Sequence, residues 1–189
     1  MEELTRCGWA TGDALSLKYH DTVWGRPVHD DRALFKMLVL EGMQAGLSWT
    51  TILKKWDPMT QAFDDFDPAI IAAYDAKKIE TLLENPGIIR NRLKVNAAIT
   101  NAQAYFSIVA ESGSFDRYLW DFVGGAPIVN AWERMEDVPT RTQISDALAK
   151  DLKKRGFKFV GTTIIYAFMQ AVGMVNDHLV SCAFYLPEE

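Results

Sequence analysis

Helix-starting residues recur along this 189-residue sequence, each ahead of a stretch with apolar residues at helical spacing, and this pattern constrains the fold most. Asp30 and Asp31 precede a helix predicted over 33–45, Ser48 one over 49–56, and Asp67-Pro68 one over 69–74. Further helices are predicted over 75–84, 88–110, 115–122, 142–155 and 162–175. The strand-like segment 157–165 has no convincing partner and is interpreted as a loop, as is 124–141. The sequence therefore predicts an all-α fold.

Glu41 is a carboxylate on an otherwise apolar helix stripe. Leu34, Met37, Leu38 and Ala45 are spaced from it by three and four residues, so they share its face in a helix. An ionised carboxylate that faces the interior is costly unless something pairs with it. Glu41 is therefore either satisfied by a buried partner or part of a site with a chemical role.

Composition sets the class of protein. Apolar residues make up 49% of the chain, which suffices for one domain with a sizeable core over residues 1–189. No apolar run reaches membrane length and the N-terminus lacks the apolar centre of a signal peptide, so we expect a cytoplasmic protein without membrane contact. The net charge of −5 argues weakly against nucleic acid, although basic residues cluster at 54–55, 90–94 and 150–158. A solvated helix face is the plainer interpretation of each cluster.

The termini carry two cysteines and two histidines. Cys7 and His20 lie near one end, and His178 and Cys182, four residues apart, lie near the other. Two thiols and two imidazoles form the closed tetrahedral set typical of structural zinc. Two buried free thiols beside two ordinary histidines are the alternative, and the spacing alone does not separate the two.

A turn rich in helix-breaking residues, Asn85-Pro86-Gly87, separates two predicted helices. Gly87 permits close backbone approach to a ligand, and the start of the second helix offers amides to a phosphate beside Arg90 and Arg92. A plain helix–turn–helix packing unit is the alternative.

Four aromatic residues flank Glu41 in the sequence: Trp9, Tyr19, Trp24 and Trp49. Aromatic faces together with a carboxylate suit a planar cationic ligand. Taken singly, each ring is better explained as part of the core.

The assembled motifs closely resemble the bacterial 3-methyladenine DNA glycosylase I family, within the helix-hairpin-helix glycosylase superfamily. They extend over nearly the whole length: Cys7-Gly8-Trp9, YHDTVWG at 19–25, LEGMQAGLSW at 40–49, PGIIRNR at 86–92, KKRGFKFVGTT at 153–163 and NDHLVSC at 176–182. The resemblance implies a monofunctional enzyme of base-excision repair. Such an enzyme hydrolyses the N-glycosyl bond of alkylated double-stranded DNA and releases free 3-methyladenine.

The resemblance also implies an architecture and a set of roles. A hairpin-containing lobe would span about 45–115, and a terminal lobe, 1–44 with 116–189, would be clipped by one structural zinc on Cys7, His20, His178 and Cys182. Glu41, held ionised, would be the acidic residue of a base pocket lined by Trp9, Tyr19, Trp24 and Trp49. Gln44, Gly46 and Leu47, just beyond Glu41, are candidates to fill the gap left by a flipped nucleotide, while Gly87, Arg90 and Arg92 would contact the DNA backbone. We expect a monomer.

The chain departs from the family pattern at two positions. Ser16 stands where many relatives have tyrosine, and Leu93 where glycine is common. A zinc-stapled module that binds DNA without cutting it is the alternative function, and a structural interaction protein is a third. The binding module does not explain a carboxylate on an apolar helix face, and the interaction protein leaves the hairpin and the basic clusters unexplained.

Overall fold

The computed structural model describes residues 4–185 of the chain. Within them, the α-helices are α1 (Ala14–Thr22), α2 (Asp31–Gln44), α3 (Trp49–Lys54), α4 (Trp56–Ala62), α5 (Pro68–Ala72), α6 (Ala76–Glu84), α7 (Arg92–Ser112), α8 (Phe115–Trp120), α9 (Gln143–Lys154) and α10 (Thr162–Ala171). Two strands of two residues each, β1 (Ile128–Val129) and β2 (Val175–Asn176), complete the regular structure together with short 3-10 turns. The predominantly helical character predicted from the sequence is confirmed.

Three of the predicted helix starts have the side-chain caps that the sequence indicates. The Asp30 side chain accepts a hydrogen bond from the Ala33 amide at 2.8 Å, and Ser48 accepts one from Thr51 at 3.3 Å. Asp67 accepts one from Ala69 at 2.9 Å, with Pro68 at the first helical position. Each cap satisfies an amide that the helix itself leaves unpaired.

Several details differ from the sequence prediction. The helix predicted over 49–56 ends at Lys54 and a second helix, α4, begins at Trp56, while the helix predicted over 162–175 ends at Ala171, before β2. The helix predicted from residue 88 begins at Arg92, because the Asn91 side chain caps it and residues 85–91 form the hairpin turn. The strictly all-α prediction is wrong at 128–129, where β1 pairs in parallel with β2 inside a segment predicted to be loop. Helix α1 was not predicted because it lacks an apolar stripe. Its buried residues face a cavity and a polar cluster instead of the main core.

Helix α2 lies at the centre of the molecule. It contacts α3, α7, α8 and α10, and nine of its residues are buried, including Glu41. A helix surrounded on most sides has little solvent-facing surface, so a polar residue near its C-terminus must face either the core or a cavity. This placement makes the surroundings of Glu41 the first feature of the site to establish.

The N-terminal and C-terminal segments run alongside one another. The Gly25 amide donates to the Gln170 carbonyl at 3.1 Å, and the Val28 amide donates to Val172 at 3.1 Å. At Gly173 a Cβ atom would lie 2.4 Å from the Arg26 carbonyl carbon, so only glycine permits this approach.

Among residues 4–185, every helix falls short of the length and apolar character that a membrane span requires.

Gly173→Ala should destabilise the protein by about 3 kcal/mol or more, because the new Cβ meets backbone and the residue has φ of +71°. Gly125→Ala is the matched control: its φ is +80°, but nothing lies within 4 Å of the added Cβ. The control should lose only about 1 kcal/mol, the cost of the left-handed conformation. Urea denaturation measures both, and equal losses would contradict the close approach of the two segments.

Candidate active site and metal centre

A cavity of about 230 Å³ opens beside the C-terminal turn of α2. Five residues predicted as the base pocket meet in its wall: Trp9, Tyr19, Trp24, Glu41 and Trp49. Gln44, a predicted wedge residue, lies there too, and Met135, Ala167 and Gln170 complete the lining without having been predicted. Residues as far apart in the sequence as Trp9 and Gln170 thus line the same cavity.

The aromatic side chains form a continuous wall. Trp9 packs edge-on against Trp24 with ring centroids 5.0 Å apart, and Tyr19 lies 5.2 Å from Trp49. Trp56, which was not predicted, supports both Tyr19 and Trp49 from behind. The Trp49 indole N–H is the only buried side-chain nitrogen or oxygen in residues 4–185 that lacks a hydrogen-bond partner. Such a donor is costly unless something binds it.

Glu41 faces this cavity without a counter-charge. Its side chain is 3% exposed, and no ion pair to it forms within the part of the chain that the structure describes. Loss of hydration raises the pKa of its carboxyl from 4.5 to about 8. Burial, with Glu41 nearby, likewise raises the pKa of Tyr19, so its hydroxyl stays protonated. Of the two alternatives for Glu41, a buried cationic partner is excluded and a cavity is present.

Gln170 is held in the cavity wall by a buried carboxylate. Asp177 accepts hydrogen bonds from Asn130, Trp132, Tyr166 and Gln170, each at 2.7 or 2.8 Å. Because the Gln170 amide nitrogen donates to Asp177, its Oε1 atom remains as a free acceptor. Ala167 and Gln170 are three residues apart on α10 and so share a face, which is the signal by which the sequence could have revealed them.

The other predicted wedge residues lie in a turn next to the cavity. The Leu47 amide donates to the Gln44 carbonyl at 2.7 Å, Ala45 has φ −45° and ψ 117°, and Gly46 has φ +75°. These values define a type II turn, which requires glycine at its third position. Leu47, at the end of the turn, is 41% exposed although it is apolar.

The predicted hairpin contacts separate into two groups. Arg92 pairs with both carboxylate oxygens of Glu80 at 2.8 and 2.9 Å, and a Cβ on Gly87 would lie 2.9 Å from Pro58. Both residues therefore have structural partners. Arg90 is exposed and its side chain forms no hydrogen bond or ion pair within the described residues, where the backbone amides of residues 89, 90 and 92 also lack a hydrogen-bond partner.

The four cysteine and histidine residues converge as predicted. Their ligand atoms all lie within 4.8 Å of one another, and all four residues are buried. His178 Nδ1 lies 3.7 Å from the Cys7 sulfur and 3.5 Å from the Cys182 sulfur, while His20 Nε2 lies 3.6 Å from Cys182. Around tetrahedral zinc, bonds of about 2.1 Å to nitrogen and 2.3 Å to sulfur separate N from S by about 3.6 Å. The donor set and its spacing therefore fit a zinc ion.

The surroundings of the cluster support the same interpretation. The other nitrogen of His20, Nδ1, lies 2.8 Å from Asp21, and Arg6 in turn binds that carboxylate. A carboxylate behind a histidine is the usual arrangement that orients a metal ligand. Trp24 stacks on His20 and packs edge-on against His178 at 4.6 Å. The cluster is thus in direct contact with the aromatic wall of the cavity.

Ser16, where relatives were expected to carry tyrosine, is absent from the cavity lining. Its hydroxyl donates to Asp13 at 2.7 Å in the first turn of α1. The aromatic enclosure is complete without it.

Comparison with known proteins places the chain among close relatives. A family model described as methyladenine glycosylase matches residues 9–185. The chain is 49% identical over 182 residues to DNA-3-methyladenine glycosylase 1 of Escherichia coli K12, covering 96% of this chain and 97% of that protein. A Staphylococcus aureus structure that describes 3-methyladenine recognition superposes with a TM-score of 0.94 at 39% identity, covering 100% of both chains. The structure of a variant of 3-methyladenine DNA glycosylase I in complex with 3-methyladenine superposes with a TM-score of 0.93 at 40% identity, covering 97% of this chain and 99% of that chain.

Glu41→Gln should stabilise the protein increasingly as pH rises. The folded-state pKa of about 8 exceeds the ordinary 4.5, so the parent protein has its full stability below pH 4.5 and loses stability as pH rises towards 8. At about pH 8 the variant should be more stable by roughly 3–5 kcal/mol, since each pKa unit corresponds to about 1.4 kcal/mol.

Urea denaturation from about pH 5 to pH 8.5 measures this difference. Glu84→Gln, on the exposed end of α6, corrects for loss of one negative charge. A constant difference between the Glu41 variant and the parent across this range would show that the carboxyl is ionised in the empty cavity.

Proposed function

This chain belongs to the methyladenine glycosylase family, and we propose that its aromatic cavity holds a 3-methyladenine flipped out of DNA while the N-glycosyl bond is hydrolysed. It is a DNA-3-methyladenine glycosylase, a hydrolase of base-excision repair that acts on alkylated DNA. The observation that carries the proposed site is Glu41: a buried carboxylate without a counter-ion, in the wall of a cavity lined by aromatic rings.

The cavity suits a cationic purine better than a neutral one. While attached to the sugar, 3-methyladenine carries a positive charge. Its glycosidic bond is therefore already weak, because the base leaves as a neutral molecule. Aromatic faces attract the cation, and Glu41 pairs with it. With a neutral adenine, Glu41 would stay protonated and no charged pair would form, so undamaged DNA gains less binding free energy.

The protonation state of Glu41 then depends on the ligand. From the sequence, Glu41 is expected to be held ionised, whereas burial alone keeps its carboxyl protonated below about pH 8. A cation in the cavity lowers the pKa of the carboxyl by direct attraction. Binding of the damaged base therefore releases a proton from Glu41 at neutral pH, and the charged pair forms only with the correct ligand.

The remaining polar groups fix the orientation of the base. Glu41 and Gln170 Oε1 are acceptors suited to the exocyclic amine of adenine, while the Trp49 N–H and the Tyr19 hydroxyl are donors suited to its ring nitrogens. A purine with a carbonyl in place of that amine would set oxygen against oxygen.

DNA is bound on the face that carries the Gln44–Leu47 turn and the hairpin. Leu47 and Gln44 fill the space vacated by the flipped nucleotide, and Gly46 allows the sharp turn that presents them. Arg90 and the unpaired amides of the hairpin contact phosphate, while Arg92, already neutralised by Glu80, contributes less. Gly87 keeps the hairpin close to α4.

Zinc bound by Cys7, His20, His178 and Cys182 has a structural role. The site is closed by four protein ligands and so leaves no position for a substrate. Burial raises the pKa of the Cys7 thiol to about 12, and a divalent cation supplies the charge that stabilises the thiolate there. The ion links the terminal segments of one domain, 1–189, whose hairpin lobe spans about 45–115 and whose terminal lobe is 1–44 with 116–189. We expect this domain to act as a cytoplasmic monomer.

Incubation with methylated duplex DNA should release free 3-methyladenine, detected by chromatography. Glu41→Gln should slow release about 10- to 100-fold at neutral pH, since losing a charged hydrogen bond costs about 1.5–3 kcal/mol. Glu84→Gln should leave the rate unchanged. Tight binding of methylated DNA without base release would favour the non-cleaving DNA-binding module instead.

Elemental analysis should find about one zinc per chain, as a four-ligand site requires. Cys182→Ser should abolish binding of the ion and lower the unfolding free energy by about 4 kcal/mol or more. His29→Ala is the matched control, because His29 lies outside the cluster and pairs with Asp116. Full zinc content in the Cys182 variant would contradict the assigned ligand set.

A further inference from the structure

Lys94 is a buried lysine that has no acidic partner among residues 4–185. It lies in the first turn of α7 and is 6% exposed. Its ammonium group donates to the Met43 carbonyl at 2.8 Å and to the Ala45 carbonyl at 2.7 Å. Loss of hydration lowers the pKa of this group, so the two carbonyls must replace the water it has lost. Lysine is seldom buried in this way unless its position is needed.

The two accepting carbonyls lie at the C-terminal end of α2 and in the turn that follows. The helix end leaves several carbonyls without intrahelical partners. The Ala45 amide binds the Gly42 carbonyl and the Leu47 amide binds the Gln44 carbonyl, whereas the Met43 and Ala45 carbonyls accept from Lys94. Lys94 supplies donors to both, and its positive charge also complements the negative end of the helix dipole.

The hydrogen bond from Lys94 to the Ala45 carbonyl is made to the peptide whose orientation distinguishes type I from type II turns. Ala45 and Gly46 are joined by the central peptide of the Gln44–Leu47 turn, and this peptide points in opposite directions in type I and type II turns. Its carbonyl oxygen is the one that Lys94 binds. Rotation of the peptide towards type I would break that hydrogen bond and leave the ammonium group buried with a single partner.

We propose that Lys94 is a positioning residue that locks the Gln44–Leu47 turn in its type II conformation and thereby aims Leu47 at the DNA duplex. This inference rests on the wedge role proposed above for Gln44 and Leu47. It connects two DNA-contacting elements physically, because Lys94 follows the hairpin directly and α7 is a continuous helix from Arg92 to Ser112. The hairpin and the wedge are thus held at a fixed separation.

The role predicts a selective defect. Lys94 does not line the base cavity, so its loss should impair insertion into stacked DNA without changing capture of the base itself. A lysine with only a general structural role would affect both equally. The difference between duplex and single-stranded substrates separates the two, because a single strand has no partner strand and no gap to fill.

Lys94→Met removes the donors and keeps the apolar stem of the side chain. We expect excision of 3-methyladenine from a duplex to slow by about tenfold or more, since displacement of a group by about 1 Å can cost a hundredfold. Excision from the same sequence as a single strand, and binding of free 3-methyladenine followed by tryptophan fluorescence, should stay within about twofold. Lys158→Met, an exposed lysine on the neighbouring loop, is the matched control for loss of one positive charge and should behave like the parent.

A double-mutant cycle with Leu47→Ala completes the test. If Lys94 acts through the wedge, the double variant should be no slower on duplex DNA than Leu47→Ala alone. Leu47→Ala without a duplex defect would overturn the proposed wedge itself. A duplex defect in Leu47→Ala but none in Lys94→Met would overturn the role of Lys94 and leave the wedge intact. Equal losses of base binding and duplex excision in Lys94→Met would also overturn it.

Lys94→Arg provides a second variant if the methionine variant folds poorly. Its guanidinium retains donors for the two carbonyls, so duplex excision should recover at least partly towards the parent rate. Hydrogen exchange at the Leu47 amide, which closes the turn, gives an independent readout. Exchange should be faster in Lys94→Met than in the parent, and unchanged exchange would contradict the locking of the turn.

Discussion

The burial of one carboxylate without a counter-charge is the constraint on which the site depends. Glu41 lies on α2, which has nine buried residues, and desolvation alone keeps its carboxyl protonated near neutral pH. A buried carboxyl without a partner lowers the stability of the ligand-free protein. It favours a cationic ligand, because only a cation can pair with the carboxylate. In the proposed function the cavity thus selects its ligand by charge, and charge is what distinguishes a methylated adenine nucleotide from an undamaged one.

The rest of the fold can be understood as holding the cavity wall against this helix. Trp9, Tyr19 and Trp24 come from the N-terminal segment, which has little core of its own and lies against the C-terminal segment. The cysteine and histidine cluster joins the same two segments and touches Trp9 and Trp24 through its histidine rings. A structural metal at this place fixes the aromatic rings as well as the chain ends. Asp177, next to His178, orders Gln170 in the same way from the opposite wall.

Much of this arrangement could be predicted from the sequence, because local patterns determine it. Helical spacing placed Glu41 on a buried face, and side-chain caps set most of the helix starts. The residues that could not be predicted have partners distant in the sequence. Arg92 faces Glu80 and Gly87 faces Pro58, so two apparent DNA contacts also have packing roles. The strand pair joins segments almost fifty residues apart. Lys94 belongs to a basic cluster that is interpreted from the sequence as a solvated helix face, because its carbonyl partners are distant in the sequence.

The chemistry of the substrate explains why positioning matters more here than acid catalysis. A cationic base leaves as a neutral molecule, so the protein has no need to protonate it, and Glu41 is the only carboxyl group among the residues that line the cavity. Tyr19, with its raised pKa, remains a neutral donor. What the protein must then supply is access: the nucleotide has to leave the helical stack and stay out long enough to react. In the proposed function that requirement falls on the turn after α2, which has glycine at its third position and a buried ammonium group bound to its central peptide. Charge selectivity at Glu41 and the conformation of the proposed wedge would therefore both be set at the C-terminal end of α2.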